Sequence, residues 1–242
     1  MSWSLSRKVF RVVCGPRGRE GASDPEQVSA KRRAKWARLW SREAERPEEE
    51  LSRIVPVELK EAVASGWIPK DVEVLDVGSG RGQISAWLAE RGYAVLGAEL
   101  SQIGTELARK HFGGRFPNLE FEVVDICRDK LTPNRFGAIV DRGCFHGLKG
   151  QLREDYVRNI AACAKPGAVF LLMTAVSTGK DEPDTETAHR RVDEATRAAF
   201  ESYFIVERSA ETRELMMRSV GEFPRTTKPG RAFWMRRRGD GG

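Results

Sequence analysis

The chain has four cysteines in 242 residues, Cys14, Cys127, Cys144 and Cys163, and no two of them stand as a C-x-x-C pair. That argues against a zinc cluster or a disulfide framework and fits a reducing compartment. No apolar run approaches the length needed to span a bilayer, so neither a transmembrane segment nor a membrane partner is expected. No internal repeat is found. Histidine is scarce, with three in the chain, which limits the candidates for proton transfer near neutrality. Acids fall short of bases, 35 against 41, for a net charge of +6. A basic balance can signal nucleic acid or an anionic membrane. Here much of the excess sits at the ends, in Arg7, Lys8, Arg11, Arg17, Arg19 and Arg236–Arg238. Solvated tails are therefore preferred over a binding footprint.

The stretch from Val72 to Glu99 organises the rest. Val72, Val74, Leu75 and Val77 form a short apolar run suited to a buried parallel strand. It ends in Asp76 and Gly78-Ser79-Gly80-Arg81-Gly82, where the backbone must turn sharply and come close to something. Ile84, Trp87 and Leu88 follow at helical spacing, with Gly92 placed to end the helix. Ala94–Ala98 form a second strand, closed by Glu99. Glycines and free N–H groups at a helix start can approach a ligand, and a carboxylate at the second strand tip can accept both hydroxyls of a ribose. The spacing is G-x-G-x-G, with Gln83 where a pyrophosphate site needs a further glycine. Asp76 would repel a pyrophosphate and suit a ligand carrying an amine and a sulfonium.

These residues resemble motif I of the class I S-adenosylmethionine-dependent methyltransferases. The resemblance implies a Rossmann-like α/β fold: a seven-stranded sheet of order 3-2-1-4-5-7-6 with the last strand antiparallel, helices on both faces, and N-terminal cap helices. It implies S-adenosyl-L-methionine as cofactor, with the glycine loop (Gly78, Ser79, Gly80, Gln83) on its methionine part and Glu99, followed by Leu100, on its ribose. A third strand, Leu119–Asp125, ends in Asp125 for the adenine amino group and Ile126 for the adenine ring. The fourth, Phe136–Asp141, runs into Arg142-Gly143-Cys144-Phe145-His146, and Asp141 and Gly143 join the cofactor set. In a parallel sheet such tips share one edge, so Asp76, Glu99, Asp125 and Asp141 should converge.

Residues 1–25 read as a basic extension without fixed structure, the alternative being a mitochondrial transit peptide. The location expected is otherwise cytoplasmic. Residues 26–70 read as cap helices, 71–238 as the methyltransferase domain and 239–242 as a tail. A helix from about Pro25 carries Trp36, Leu39 and Trp40 on one face, and another from Pro56 to Ser65 buries Leu59, Ala62 and Val63. By the resemblance Trp36 and Trp40 line the site; packing the helix onto the domain is the equal alternative. Leu152, Tyr156, Val157, Ile160 and Cys163 mark a helix, and Ala168–Val176 a fifth strand. Asp184–Ser202 reads as a helix with Val192, Ala195, Ala199 and Phe200 inward. Tyr203–Glu207 and Arg231–Arg237 complete the sheet, and Ser177–Pro183 and Glu222–Lys228 read as loops.

Methyl transfer from a sulfonium is an in-line displacement whose difficult chemistry belongs to the cofactor. The protein aligns the acceptor, excludes water and removes a proton where one must leave. Ile139-Val-Asp-Arg-Gly, Arg153…Tyr156 and Lys165-Pro-Gly resemble the thiopurine methyltransferase branch, which implies a small-molecule acceptor, thiol or heteroaromatic, and a monomer. In that frame His146 is either a general base or a structural histidine. Arg142 either holds an acidic or heteroaromatic acceptor or pairs with a strand-tip acid. Cys144 and Phe145 are pocket or packing residues. No metal is expected. An RNA or protein methyltransferase, and a non-catalytic nucleoside-binding domain, remain the alternatives.

Overall fold

The computed structural model of the protein describes residues 24–44, 55–177, 185–215 and 227–239. Expectations for the N-terminal extension through residue 23, residues 45–54 of the cap segment, and the loop segments 178–183 and 222–226 lie outside these residues. Seven strands are formed: β1 (Glu73–Val77), β2 (Ala94–Glu99), β3 (Leu119–Val123), β4 (Phe136–Arg142), β5 (Ala164–Ala175), β6 (Phe204–Leu215) and β7 (Thr227–Arg237). They make one sheet in the order β3-β2-β1-β4-β5-β7-β6. The first five are parallel, and β7 enters antiparallel between β5 and β6. This is the order expected from the glycine-loop resemblance.

Period-two alternation assigns the strand residues to two cores. Leu75, Val77, Ile139, Phe170 and Leu172 face one side, where α5 (Gln151–Cys163) and α6 (Thr185–Phe200) cover them. Val74, Ala138, Val140, Val169 and Leu171 face the other, beneath α2 (Val57–Ala64), α3 (Gln83–Glu90) and α4 (Gln102–Phe112). Phe145, Phe170, Phe200 and Phe204 form a tilted and edge-to-face stack with centroids 5.0–5.8 Å apart, an arrangement favoured by the ring quadrupoles. Helix α1 (Pro25–Glu43) is capped by Asp24, which accepts from the Glu26 N–H at 3.0 Å, and runs across the domain against α4.

Several features differ from the sequence reading, among them the start of β7 at Thr227, four residues earlier than expected. Helix α5 gives way directly to β5 at Ala164, four residues earlier than expected. Lys165, Pro166 and Gly167 are exposed, and a register shift between Phe136 and Ala138 accommodates them, so the proline sits at an irregularity of the ladder. Strand β6 continues to Leu215 through a register shift between Val206 and Arg208, because its polar outer residues pair with β7. The inward face of α6 is Ala188, His189, Thr196 and Phe200, whereas Ala195 is exposed.

Candidate active site

The glycine loop joins β1 to α3. Gly80 has φ +57°, and its N–H donates to Glu99 Oε2 at 3.0 Å. A Cβ there would lie 2.6 Å from the Trp40 ring, so the position requires glycine for its backbone and for the close approach of the indole. Gly78 and Ser79 donate to the Ala98 carbonyl at 2.8 and 3.1 Å, which ties the loop to β2.

Three of the four acids expected at the rim stand around this loop. Asp76, fully buried, accepts from Ser85 Oγ at 2.5 Å. Burial pushes its carboxyl up to about 6; the Ser85 hydrogen bonds oppose this, the nearby Glu99 charge adds to it, and Arg142 tempers it. Glu99 accepts from the Ser101 and Gly80 N–H groups at 2.8 and 3.0 Å. Burial raises its pKa, while those N–H groups and the indole of Trp40 hold it down. The Trp40 Nε1–H lies beside the carboxylate yet makes no hydrogen bond of ordinary geometry. Asp125, just beyond β3, accepts from Ser29 Oγ at 2.5 Å, Arg32 Nη1 at 2.8 Å and the Cys127 N–H at 3.2 Å.

The fourth acid is a correction. The Asp141 carboxylate is turned into its own loop, where it accepts from the Cys144 and Phe145 N–H groups at 2.7 and 3.0 Å and from the Tyr156 hydroxyl. It anchors the turn after β4 instead of facing the rim with the other three. Of the two roles open to Phe145, packing holds: it is buried in the aromatic stack. Ile126 lies in the same core, its carbonyl accepting from Asn159 Nδ2 at 2.9 Å. Leu100 is buried outside both cores, next to Glu99.

The turn after β4 completes the rim. Gly143 donates to the Met173 carbonyl at 3.1 Å, and the His146 ring lies over it, 3.3 Å from where a Cβ would sit. His146 is exposed on a single helical turn (Phe145–Gly147), and Arg142 is half-buried at the end of β4. Cys144 packs against Gly78, 3.1 Å from a notional Cβ there, which brings the two loops together. Burial, and then the Asp141 charge, push its thiol well above the ordinary range, so it stays protonated and is no nucleophile.

Helix α1 roofs this edge. Trp40 is buried against Gly80, Gly104 and Glu99 and stacks with the half-buried Trp36 at 6.4 Å. Ser29 and Arg32 reach Asp125 from the same helix, and neither stood among the sequence candidates. The spacing 29, 33, 36, 40 is a helical face, a signal that could have directed attention to Ser29. Ser85 and Tyr156, which hold Asp76 and Asp141, offered no such signal.

Among the buried polar atoms around the loop, Ser79 Oγ, Gln83 Nε2 and Trp40 Nε1 have no hydrogen-bond partner among the described residues. Buried polar groups are normally satisfied, so this ring fits a polar ligand. With the glycine cradle and the Glu99 carboxylate beside it, the residues suit S-adenosylmethionine. Among the described residues no group of three or more His, Cys, Asp or Glu could hold a metal ion, and no helix is long and apolar enough to cross a membrane.

Sheet order, glycine loop and strand-tip acids together define the class I, S-adenosylmethionine-dependent methyltransferase fold. Comparison with known proteins agrees with that fold: residues 74–167 match the family described as "Methyltransferase domain". A 2-heptyl-1-hydroxyquinolin-4(1H)-one methyltransferase from Mycobacteroides abscessus is 30% identical over 136 residues, which are 56% of this chain and 60% of that protein. A thiopurine S-methyltransferase from Nitrosomonas eutropha is 27% identical over 110 residues, 40% of this chain and 50% of that protein. The chain thus spans 50–60% of the length of these relatives. Among solved structures, the Burkholderia thailandensis 1,6-didemethyltoxoflavin-N1-methyltransferase, with bound 1,6-didemethyltoxoflavin and S-adenosylhomocysteine, superposes with a TM-score of 0.64. It is 17% identical, and 98% of each chain is covered, which speaks for the fold.

Proposed function

We propose that the protein moves the methyl group of S-adenosylmethionine to a sulfur, nitrogen or oxygen atom of a small heteroaromatic molecule. The observation that bears most weight is the ring of unpartnered buried atoms, Ser79 Oγ, Gln83 Nε2 and Trp40 Nε1, around a glycine loop beside Glu99. The roof formed by α1 favours a small acceptor over a macromolecule. Two curated relatives bear the names of heteroaromatic compounds, a hydroxyquinolinone and a thiopurine.

In this reading the glycine loop, Ser79 and Gln83 hold the methionine end, Glu99 the ribose and Asp125 the adenine amino group. Bound S-adenosylmethionine supplies the electrophilic methyl group. Asp76, ionised above about pH 6, faces its cationic end. Arg142 holds an anionic or heteroaromatic acceptor, and His146 takes the proton when the acceptor is a phenol or amine. Trp36 and Trp40 exclude water, and alignment by the enclosed site supplies much of the rate, in favourable systems roughly 7–11 kcal/mol. Cys144 remains a protonated packing group, in keeping with direct displacement without a covalent enzyme intermediate.

The test is a transfer assay with methyl-labelled cofactor against thiols, phenols, N-hydroxyquinolones, heteroaromatic amines and bulk RNA. Label should enter at least one heteroaromatic compound. Label in RNA alone, with a steep salt dependence, would replace this reading with a nucleic-acid methyltransferase. Cofactor binding without transfer to any acceptor would replace it with a non-catalytic nucleoside-binding domain.

A further inference from the structure

Helix α1 meets the rim at two points about three turns apart. At one end Trp40 lies on Gly80, Gly104 and Glu99. At the other, Ser29 Oγ donates to Asp125 Oδ2 at 2.5 Å and Arg32 Nη1 to Asp125 Oδ1 at 2.8 Å. A carboxylate offers about four acceptor positions, and with the Cys127 N–H three of those on Asp125 are taken. An outer set of bonds braces the inner one. Arg33 donates to Ser29 Oγ at 2.8 Å and to Glu26 Oε1 at 2.9 Å, and Arg128, on the turn after Asp125, donates to Glu26 Oε2 at 2.6 Å. Ser29 and Asp125 are almost wholly buried, at 1% and 4% exposure. A nucleoside travelling from solvent to Asp125 and Glu99 therefore crosses the ground that α1 covers.

We propose that α1 is a latched gate over the nucleoside end of the cofactor cleft, with Arg32 and Ser29 as the latch and Asp125 as its keeper. The inference rests on the assignment of Asp125 to that end of the cleft. Entry and exit share one barrier, because the same bonds must open in both directions. The adenine amino group, on arrival, takes the acceptor position that the latch leaves free. The outer pairs are partly exposed and screened by salt, whereas the inner pair is nearly dry, so moderate salt loosens the brace before the latch.

The experiment is stopped-flow binding of S-adenosylhomocysteine, followed by tryptophan fluorescence, in the unaltered full chain and in Arg32→Ala, Ser29→Ala and Arg32→Lys. Both Arg32→Ala and Ser29→Ala should raise the association and the dissociation rate constants together, each at least threefold, with Kd changing less than either. Arg32→Lys should fall between, since it keeps the charge but loses the planar fork. Faster dissociation with unchanged association would overturn the gate and make Arg32 an ordinary ligand contact. Unchanged rates in both would also overturn it. Thermal melting checks folding, and if Arg32→Ala does not fold, the Ser29→Ala and Arg32→Lys rates decide. No binding at all by the unaltered chain would instead overturn the cofactor assignment and the gate with it.

Discussion

Replacing Glu99 with alanine separates a ligand-binding carboxylate from a merely structural one. The side chain is 4% exposed and receives two backbone N–H groups, Ser101 at 2.8 Å and Gly80 at 3.0 Å. Hydrogen bonds to a charged acceptor contribute about 1.5–3 kcal/mol each, and loss of one such bond to a ribose hydroxyl corresponds to about a tenfold to hundredfold loss of affinity. Truncation also strands the two N–H groups, at about 1–3 kcal/mol each, while relieving the cost of burying the charge. The variant should therefore bind S-adenosylhomocysteine at least tenfold more weakly and melt at a lower temperature. Calorimetric titration measures the first and a melting curve the second. Lower melting with unchanged affinity would show that Glu99 serves the loop alone, and the ribose assignment would fall.

Two further outcomes follow from the rim. Asp76 has a folded-state pKa of about 6 against an ordinary 3.8, so the folded chain binds more protons than the unfolded one between those values, and stability falls as pH rises through that window. The shift corresponds to roughly 3 kcal/mol, so Asp76→Asn should gain stability relative to the unaltered chain between pH 4 and pH 7 in denaturant titrations; a difference that does not vary with pH would contradict the assignment. Tyr156→Phe removes a hydroxyl that donates to Asp141, at a cost of about 1.5–3 kcal/mol, and should lower the melting temperature by roughly 3–12 °C while raising KM for the acceptor as the Arg142–His146 turn loosens. An unaltered melting curve would refute the role given to that hydroxyl.

The strands and the glycine loop were legible because strand alternation and glycine spacing are local patterns, and the sheet order came with the family that the loop resembles. The orientation of a tip carboxylate is not local. Asp141 stands where a ligand acid would stand, but a hydroxyl fifteen residues later and two N–H groups of its own turn draw it inward. The face of α6 was misjudged for a related reason. Phe200 and Ala199 face the core as expected, but Thr196 and His189 are buried although polar and the small Ala195 is exposed, so a ranking by hydrophobicity misses part of the stripe. Ser29 and Arg32 were hidden by distance along the chain, since their partner is more than ninety residues away and nothing in α1 specifies it.

The antiparallel insertion of β7 has a consequence for biogenesis. Residues 227–237 must leave the ribosome before β5 or β6 can bond along the edges they present to each other. Until then the nascent sheet carries two open borders, one of them on the apolar strand β5, and both are templates for pairing with a neighbouring chain. A shortage of chaperones, or a stop codon shortly before residue 227, should therefore yield aggregates instead of a slightly smaller enzyme.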